Sequence, residues 1–263
     1  AVGAKGKMKA QLKSKWTFTS PIHGDILEAW TSKAADPDTE VAKWVTEGTP
    51  LGINCDIKSK GIFPPSDRDA EQESMVDAAM QMARGSLVNY TSVMENKEDT
   101  KVEVDRLERL GFLKKIDGKT VRDEFSQGTI SKLAIIIKER PDKTKKRRLI
   151  IDLRRSGGNS KARLEERLVL PRAMDAVAMM RTMSKLQEAP SAAEQREMWK
   201  REMVLIDVAD AFPHLAVHHQ ELEHCVTPGL HEGEFFLFRA LLFGYKTAPL
   251  LWSRVAAWLG RMI

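Results

Sequence analysis

Cysteine is nearly absent from this sequence, since Cys55 and Cys225 are the only two among its 263 residues. Two cysteines so far apart cannot build a disulfide framework, and they lack the paired spacing of a cysteine-based zinc site. Their scarcity therefore favours an intracellular, reducing compartment.

The sequence also lacks a long apolar run. The longest candidate, 235–243, is interrupted by Arg239 and is shorter than the roughly 18 residues that a membrane helix needs. The N-terminus, Ala-Val-Gly-Ala-Lys, shows neither an initiator methionine nor a secretory signal. We therefore expect a piece of a longer protein of the cytoplasm or nucleus, with no membrane partner.

Signatures of several enzyme and metal-binding classes are missing as well. No serine lies in a nucleophile-elbow context, and neither cysteine has a plausible base near it in sequence. Five histidines cluster, but no cysteine or acid completes a zinc-ligand spacing among them, so we expect solvated polar residues. These histidines are His214, His218, His219, His224 and His231.

What the sequence does contain is a carboxylate directly after a short apolar run. Residues 203–206 predict a strand buried on both faces; Asp207 follows it, and Phe212 comes five positions later. A carboxylate at the end of a buried strand is costly to desolvate unless its charge is offset, commonly by a divalent metal ion. The alternative is that Asp207 caps the turn or helix that follows the strand.

The segment 138–155 concentrates positive charge, with nine lysines and arginines against three acids. Apolar runs at 133–137 and 149–153 frame this charge, and Pro141-Asp142 marks a turn between them. The pattern predicts a β-hairpin with a basic tip, suited to bind the phosphates of a nucleic acid or a triphosphate. The alternative interpretation is an ordinary hairpin with a solvated charge run.

A sharp glycine turn follows later in the sequence. Segments 225–229 and 235–243 predict a strand pair, after which Gly244 to Pro249 lead into a helix. Small residues in such a turn allow another backbone or a flat ligand to approach closely. The apolar face of the helix comprises Leu250, Leu251, Val255, Trp258 and Leu259.

The remaining patterns predict mostly helices. Residues 1–20 form a flexible basic arm, and residues 21–105 form a mainly helical extension with a helix near 25–35. Between 67 and 115 two apolar stripes precede Gly111, which sits where a C-terminal cap belongs. Those stripes are Met75, Ala78, Ala79 and Met82, then Val102, Val104, Leu107 and Leu110. Pro171 opens a further helix, with an apolar face of Met174, Val177, Ala178 and Met183.

Three of these segments, in this order, resemble motifs of the reverse transcriptases of retroviruses and retrotransposons. Residues 148–154, with Asn159 after them, look like the family's fingers motif. Residues 207–212 look like its motif A, and 243–249 look like its motif B in the form of gypsy-like elements. The resemblance implies an α+β fold, with right-hand polymerase fingers and a partial palm in 106–263 and a mixed or antiparallel sheet packed on helices.

The resemblance implies an RNA-directed DNA polymerase that transfers nucleotides by a two-metal mechanism. Asp207 would be the first metal-binding carboxylate and the Val208 carbonyl a second ligand, with two Mg²⁺ ions, or Mn²⁺, as cofactors. The implied partners are an RNA or DNA template with its primer, a dNTP and the remaining domains of a pol polyprotein.

The resemblance also assigns residues to the incoming nucleotide. Arg148 would lie over its base or phosphates, because a planar guanidinium both stacks and donates in pairs. A second basic residue would contact the γ-phosphate, and Lys138, Arg140 and Lys143 all compete for this role. The backbone amides of Asp210 and Ala211 would face the triphosphate, and the bulk of Phe212 would exclude a 2′-hydroxyl.

Two further assignments concern the template side and the fingers. Gly244, Lys246 and Pro249 would shape the floor under the template base. Asp152 and Arg154 would form a charge pair that steadies the fingers.

One departure from the family pattern limits the expected activity. The family's adjacent aspartates normally follow the motif B helix; no Asp-Asp pair occurs here, and the sequence stops at Ile263 inside that helix. We therefore expect the chain alone to be inactive as a polymerase.

The main alternative is a non-catalytic nucleic-acid binder, a relic or co-opted retroelement fragment that uses the same basic residues. Phe212 argues against a viral RNA-directed RNA polymerase, because such an enzyme must admit the 2′-hydroxyl of a ribonucleotide.

Overall fold

The computed structural model describes residues 15–66, 88–186 and 206–262. In these ranges the chain is a mixed α+β protein with two small antiparallel sheets and several helices, which confirms the predicted class. The predicted basic arm up to residue 14, the stripe from Met75 to Met82 and residues 203–205 lie outside the described residues.

The chain divides into two compact units. Ala1–Arg167 and Asp210–Ile263 form one unit, and Leu168–Ala209 form the other. The boundaries predicted at residues 20 and 105 fall inside the larger unit, because side chains of the first helices share its core with the C-terminal helix.

The helices of the described residues are α1 (Gly24–Lys33), α2 (Glu40–Glu47), α3 (Thr91–Glu95), α4 (Lys97–Arg109), α5 (Gly118–Glu124), α6 (Gly158–Lys161), α7 (Ala173–Leu186) and α8 (Ala248–Met262). Two 3₁₀ helices span Phe212–His214 and His219–His224. The strands are β1 (Leu113–Asp117), β2 (Lys132–Glu139), β3 (Lys145–Asp152), β4 (Val226–Pro228) and β5 (Glu234–Phe238). None of these helices combines the length and the apolar character that a membrane span requires.

The three-stranded sheet has the order β1-β5-β4 and is antiparallel throughout. In its central strand Phe236, Leu237 and Phe238 are all fully buried, which explains why this strand is a continuous apolar run. The predicted pairing of the segments around Val226 and Phe235 is confirmed. The edge strand β1 was not predicted, since Leu-Lys-Lys-Ile-Asp falls at the end of a helical pattern and has few apolar residues.

The two-stranded sheet is the predicted basic hairpin. Leu133 pairs with Ile151 near its base and Glu139 with Lys145 near its tip. The turn closes where the Arg140 N–H donates to the Thr144 carbonyl at 2.8 Å. The inner face is buried, whereas the outer face is accessible to solvent.

Helix α4 ends as predicted but buries a different face. Gly111 has φ +79°; its N–H donates to the Glu108 carbonyl, and the next N–H donates to the Leu107 carbonyl, both at 2.9 Å. These two bonds form a Schellman cap. Val102 and Leu110 of the predicted apolar stripe are about half exposed. The buried face instead includes two polar residues and comprises Thr100, Glu103, Val104 and Leu107.

The predicted helices α1, α7 and α8 are present, with differences in their burial. Helix α8 buries four of its five predicted core residues, and Leu259 is partly buried. Helix α7 lies in the smaller unit and begins two residues after Pro171. Met174 and Val177 of its predicted apolar face are exposed.

A buried ion pair links helix α8 to the N-terminal helical region. No pattern within a short stretch of the sequence predicts this pair. The Arg254 guanidinium, fully buried, donates to the equally buried Asp38 carboxylate, with 2.8 Å between Nε and Oδ2. The guanidinium also donates to the Lys58 carbonyl at 2.7 Å and lies 4.4 Å from the Trp44 ring centroid. Two turns further on, Arg261 pairs with Asp36 and lowers the pKa of that carboxyl.

We expect Asp38→Ala to lower the free energy of unfolding by about 3–5 kcal/mol, because it removes the hydrogen-bonded counter-ion of the buried Arg254 guanidinium and leaves only Glu166, at 4.0 Å. Lys43→Ala is the control: it breaks a partly exposed pair with Glu40 and should cost less than about 1 kcal/mol. Urea unfolding followed by far-UV circular dichroism measures both costs. Equal costs would contradict the importance of the buried pair.

Candidate functional site

The outer face of the hairpin carries a cluster of exposed cations. Side chains of a strand alternate between its faces, and residues opposite one another in the register share a face. Lys138 is opposite Lys146, and Ile136 is opposite Arg148, so all four lie on one exposed face. Like charges directly opposite each other repel. This face is therefore suited to bind an anion.

The same alternation turns two other cations of the basic run inward. Lys145 and Arg147 both pair with Asp99 of α4, with nitrogen–oxygen distances of 2.8 and 2.6 Å. Hydrogen bonds from these two side chains hold the pKa of Asp99 below its ordinary value. The basic run thus has two parts: one part anchors the hairpin to α4, and the other is available to a ligand.

An aromatic residue joins two of the predicted nucleotide-binding residues. The Arg148 guanidinium lies 5.4 Å from the centroid of the Phe243 ring, and that ring lies 5.2 Å from the ring of Phe212. Cation–π and tilted aromatic contacts of this kind are attractive. The structure therefore brings Arg148 and Phe212 together through Phe243. We call these three residues the Arg-Phe-Phe cluster.

The glycine turn holds Phe243 beside the hairpin. The Ile151 N–H donates to the Phe243 carbonyl at 3.0 Å. Gly244 follows with φ +116°, and a Cβ placed there would lie 1.9 Å from the Ile151 carbonyl oxygen. Only glycine allows this close approach of the two backbones.

Asn159 supports the turn through two hydrogen bonds. Its Nδ2 donates to the Gly244 carbonyl at 2.9 Å, and its Oδ1 accepts from the Lys246 N–H at 2.9 Å. The predicted template-floor residues Gly244 and Lys246 thus belong to this turn, and Pro249 lies in the first turn of α8; Lys246 and Pro249 are exposed. The asparagine of the fingers-like motif has a positioning role that the sequence alone did not reveal.

The predicted triphosphate-facing segment is anchored from α4. Asp210 has φ +51°, and its carboxylate accepts from Arg106 Nη1 at 2.7 Å. Glu103 also pairs with Arg106, and both acids raise the pKa of the guanidinium. The Asp210 carboxylate is therefore engaged, and the role of the backbone amides of Asp210 and Ala211 stays a prediction.

The predicted metal ligands lie in the smaller unit. Asp207 and Val208 are exposed and belong to an irregular segment. Ile206 is 54% exposed and lies in no strand, so the prediction of a strand buried on both faces is wrong at this residue. Among the described residues, no three histidine, cysteine, aspartate or glutamate side chains are placed to hold one metal ion.

The three candidates for the γ-phosphate contact differ in position. Lys138 shares the outer face with Arg148, whereas Arg140 and Lys143 belong to the turn at the tip, where Lys143 has φ +63°. Lys146 was not predicted as a site residue, although it lies two positions before Arg148 and so on the same face. Strand alternation was the signal that could have found it.

The predicted charge pair between Asp152 and Arg154 is wrong in the described part of the chain. The Asp152 carboxylate accepts from the Tyr90 hydroxyl and from the Arg155 N–H, the latter at 3.0 Å. Arg154 lies just beyond the end of β3, where the chain turns away. Burial, followed by the bond to Asp152, raises the pKa of Tyr90.

No protein-family model and no curated protein matches this chain. The residues and their geometry are therefore the basis for assigning a function.

We expect Gly244→Ala to destabilise the protein by about 3 kcal/mol or more, because the new methyl group meets the Ile151 carbonyl and the backbone is strained. Gly233→Ala is the matched control. Gly233 also has a positive φ, +75°, but a Cβ there meets nothing within 4 Å, so only strain of about 1–2 kcal/mol should appear. Chemical denaturation measures both variants, and a similar cost for the two would contradict the close approach.

Proposed function

We propose that this chain supplies the fingers and part of the palm of an RNA-directed DNA polymerase, a reverse transcriptase of a retroelement. In this proposal the outer hairpin face and the glycine turn bind the incoming nucleotide and the template. The Arg-Phe-Phe cluster is the observation that carries it.

The cluster supports the proposal because its members come from three separate motifs. Arg148 belongs to the fingers-like segment, Phe212 ends the segment similar to motif A, and Phe243 begins the segment similar to motif B. Each motif is short enough to occur by chance. If the resemblance were due to chance, nothing would bring these three side chains together. A shared nucleotide site would require them to be close to one another.

The chemistry of the cluster suits a nucleoside triphosphate. The guanidinium of Arg148 lies 5.4 Å from the centroid of an aromatic ring, and a guanidinium can donate paired hydrogen bonds to phosphate. Lys138 and Lys146 add positive charge on the same strand face. Phe212 and Phe243 supply an apolar wall against which a deoxyribose fits better than a ribose, whose 2′-hydroxyl needs a hydrogen-bond partner.

The metal chemistry implied by the resemblance needs more ligands than the described residues provide. Asp207 and the Val208 carbonyl are too few for two Mg²⁺ ions, which together require several hard oxygen ligands. We therefore assign to this chain the binding and orientation of nucleotide and template.

A non-catalytic nucleic-acid binder is the second candidate. The exposed cations of the hairpin favour it equally, because contacts to phosphates require no particular base and no catalytic carboxylate. The two functions differ in their response to a nucleotide. A polymerase fragment should bind a dNTP complementary to the next template base, whereas a pure binder should ignore it.

The proposal predicts that a complementary dNTP tightens the complex of this chain with an RNA template and a chain-terminated DNA primer. Arg148→Ala should reduce this tightening at least about tenfold, since a charge-assisted contact is worth about 1.5–3 kcal/mol. Arg154→Ala, which removes an exposed arginine near the same strand, is the control and should retain it. Fluorescence anisotropy of the labelled primer measures the affinity.

Tight binding that does not respond to the complementary dNTP would favour the non-catalytic binder. A dNTP effect that survives Arg148→Ala and is equally strong with a mismatched dNTP would contradict the proposed site.

A further inference from the structure

A cysteine and a histidine that are distant in sequence lie side by side in the larger unit. Cys55 Sγ is 3.2 Å from His218 Nδ1 and 3.0 Å from Gln220 Oε1. Cys55 is partly exposed, whereas Cys225, the other cysteine of the chain, is completely buried. Sequence analysis found no base for either cysteine because the partner of Cys55 is brought to it only by the fold.

A buried carboxylate fixes the loop that carries Cys55. Glu221 is fully buried and accepts four backbone N–H groups, from Leu51, Ile53, Asn54 and Cys55, at 3.0–3.2 Å. Desolvation raises the pKa of this carboxyl. Because Glu221 follows His218 by only three positions, the same short segment holds both members of the pair in place.

The nitrogen that faces the thiol is suited to act as a base. His218 precedes the 3₁₀ helix His219–His224, and its Nδ1 accepts the Gln220 N–H at 3.4 Å as a helix cap. A ring nitrogen that accepts from a backbone N–H carries no proton of its own. Nδ1 can therefore accept the proton of the Cys55 thiol.

A cavity of about 390 Å³ opens beside the pair. Its lining includes Asn54 and His219, the sequence neighbours of Cys55 and His218, together with Gln220, whose side chain contacts Sγ. The aromatic rings of Trp16 and Phe125 also line it. Neither Cys55 nor His218 lines this cavity, so a reagent reaches the thiol through the partial exposure of Cys55 itself.

The charged and titratable groups around the pair and the cavity are of both signs. Lys15 pairs with Glu124 at 3.0 Å, and Lys15 and Lys114 each lie 4.6 Å from the centroid of the Trp16 ring. Glu221 binds the Cys55 N–H, and the His219 ring lies 4.3 Å from the His218 ring. Glu124 and Glu223 line the cavity, and Glu223 accepts from Asn54. Because Lys15 pairs with Glu124, these charges favour neither sign of reagent.

We propose that Cys55 and His218 form a reactive thiol–imidazole pair and that Cys55 is a modification site for small disulfides. His218 Nδ1 accepts the thiol proton, and the thiolate attacks one sulfur of the disulfide. The disulfide bond breaks, a mixed disulfide forms on Cys55, and the second sulfur leaves as a thiolate that takes the proton from the imidazolium. This inference does not depend on the polymerase proposal, and neither proposal falls if the other fails.

The expected gain in reaction rate follows from the thiolate fraction. An ordinary cysteine is only a few per cent thiolate at neutral pH, and an adjacent imidazole increases that fraction. Part of the gain is lost because a more acidic thiol is a weaker nucleophile. We therefore expect Cys55 to react about tenfold faster at pH 7 than an ordinary cysteine.

The test measures the rate of mixed-disulfide formation with cystamine at pH 7 by intact-protein mass spectrometry. The native chain should gain one adduct, at Cys55, about tenfold faster than the cysteines of the same chain in urea; Cys55→Ser should gain none. His218→Asn should slow the reaction about tenfold, because asparagine keeps the helix cap but cannot accept the proton. His231→Asn, which removes an exposed imidazole from the turn between β4 and β5, is the control and should react like the native chain.

Two results would overturn the proposal. The first is a reaction rate of the native chain that is no greater than the rate in urea. This comparison uses no variant, so it tests the proposal even if a substitution disturbs folding. The second is an unchanged rate in a His218→Asn protein whose circular dichroism matches that of the native chain.

Discussion

One backbone hydrogen bond, from the Ile151 N–H to the Phe243 carbonyl, fixes the arrangement on which the candidate site depends. It joins the end of strand β3 to the glycine turn, and Gly244 makes it sterically feasible because no Cβ stands between the two backbones. Phe243 is thereby placed within contact of both Arg148 and Phe212. Asn159 supports the same turn with two further hydrogen bonds.

Both elements that meet at this bond are anchored elsewhere in the larger unit by ion pairs. Asp99 of α4 pairs with Lys145 and Arg147 on the inner side of the hairpin. The cations on the outer face do not share this carboxylate. Behind the turn, Arg254 of α8 pairs with Asp38 in the core. The N-terminal helices are thus part of the framework that positions the site, although sequence patterns set them apart as an extension.

The features that sequence predicted correctly are those with a local pattern. The hairpin has two apolar strands around a turn, Gly111 caps a helix, and α8 has a 3.6-residue apolar period, so each was found within a short window. What was missed depends on contacts between distant residues: the Arg254–Asp38 pair, the meeting of Cys55 with His218, and Phe243 as the centre of the cluster. Ile206 and the exposed residues of helix α7 show that a local pattern can also mislead. An apolar pattern predicts burial, but it does not supply a surface against which the residues can pack.

The central claim is that Phe212 and its neighbours form a deoxynucleotide site, and the most direct measurement compares dATP with ATP. Each is titrated into the complex of the chain with an RNA template presenting uracil and a terminated DNA primer. The account predicts that dATP binds at least about tenfold more tightly than ATP, and that Phe212→Ala removes this preference by admitting the 2′-hydroxyl. Equal binding of dATP and ATP to the unsubstituted chain would contradict it.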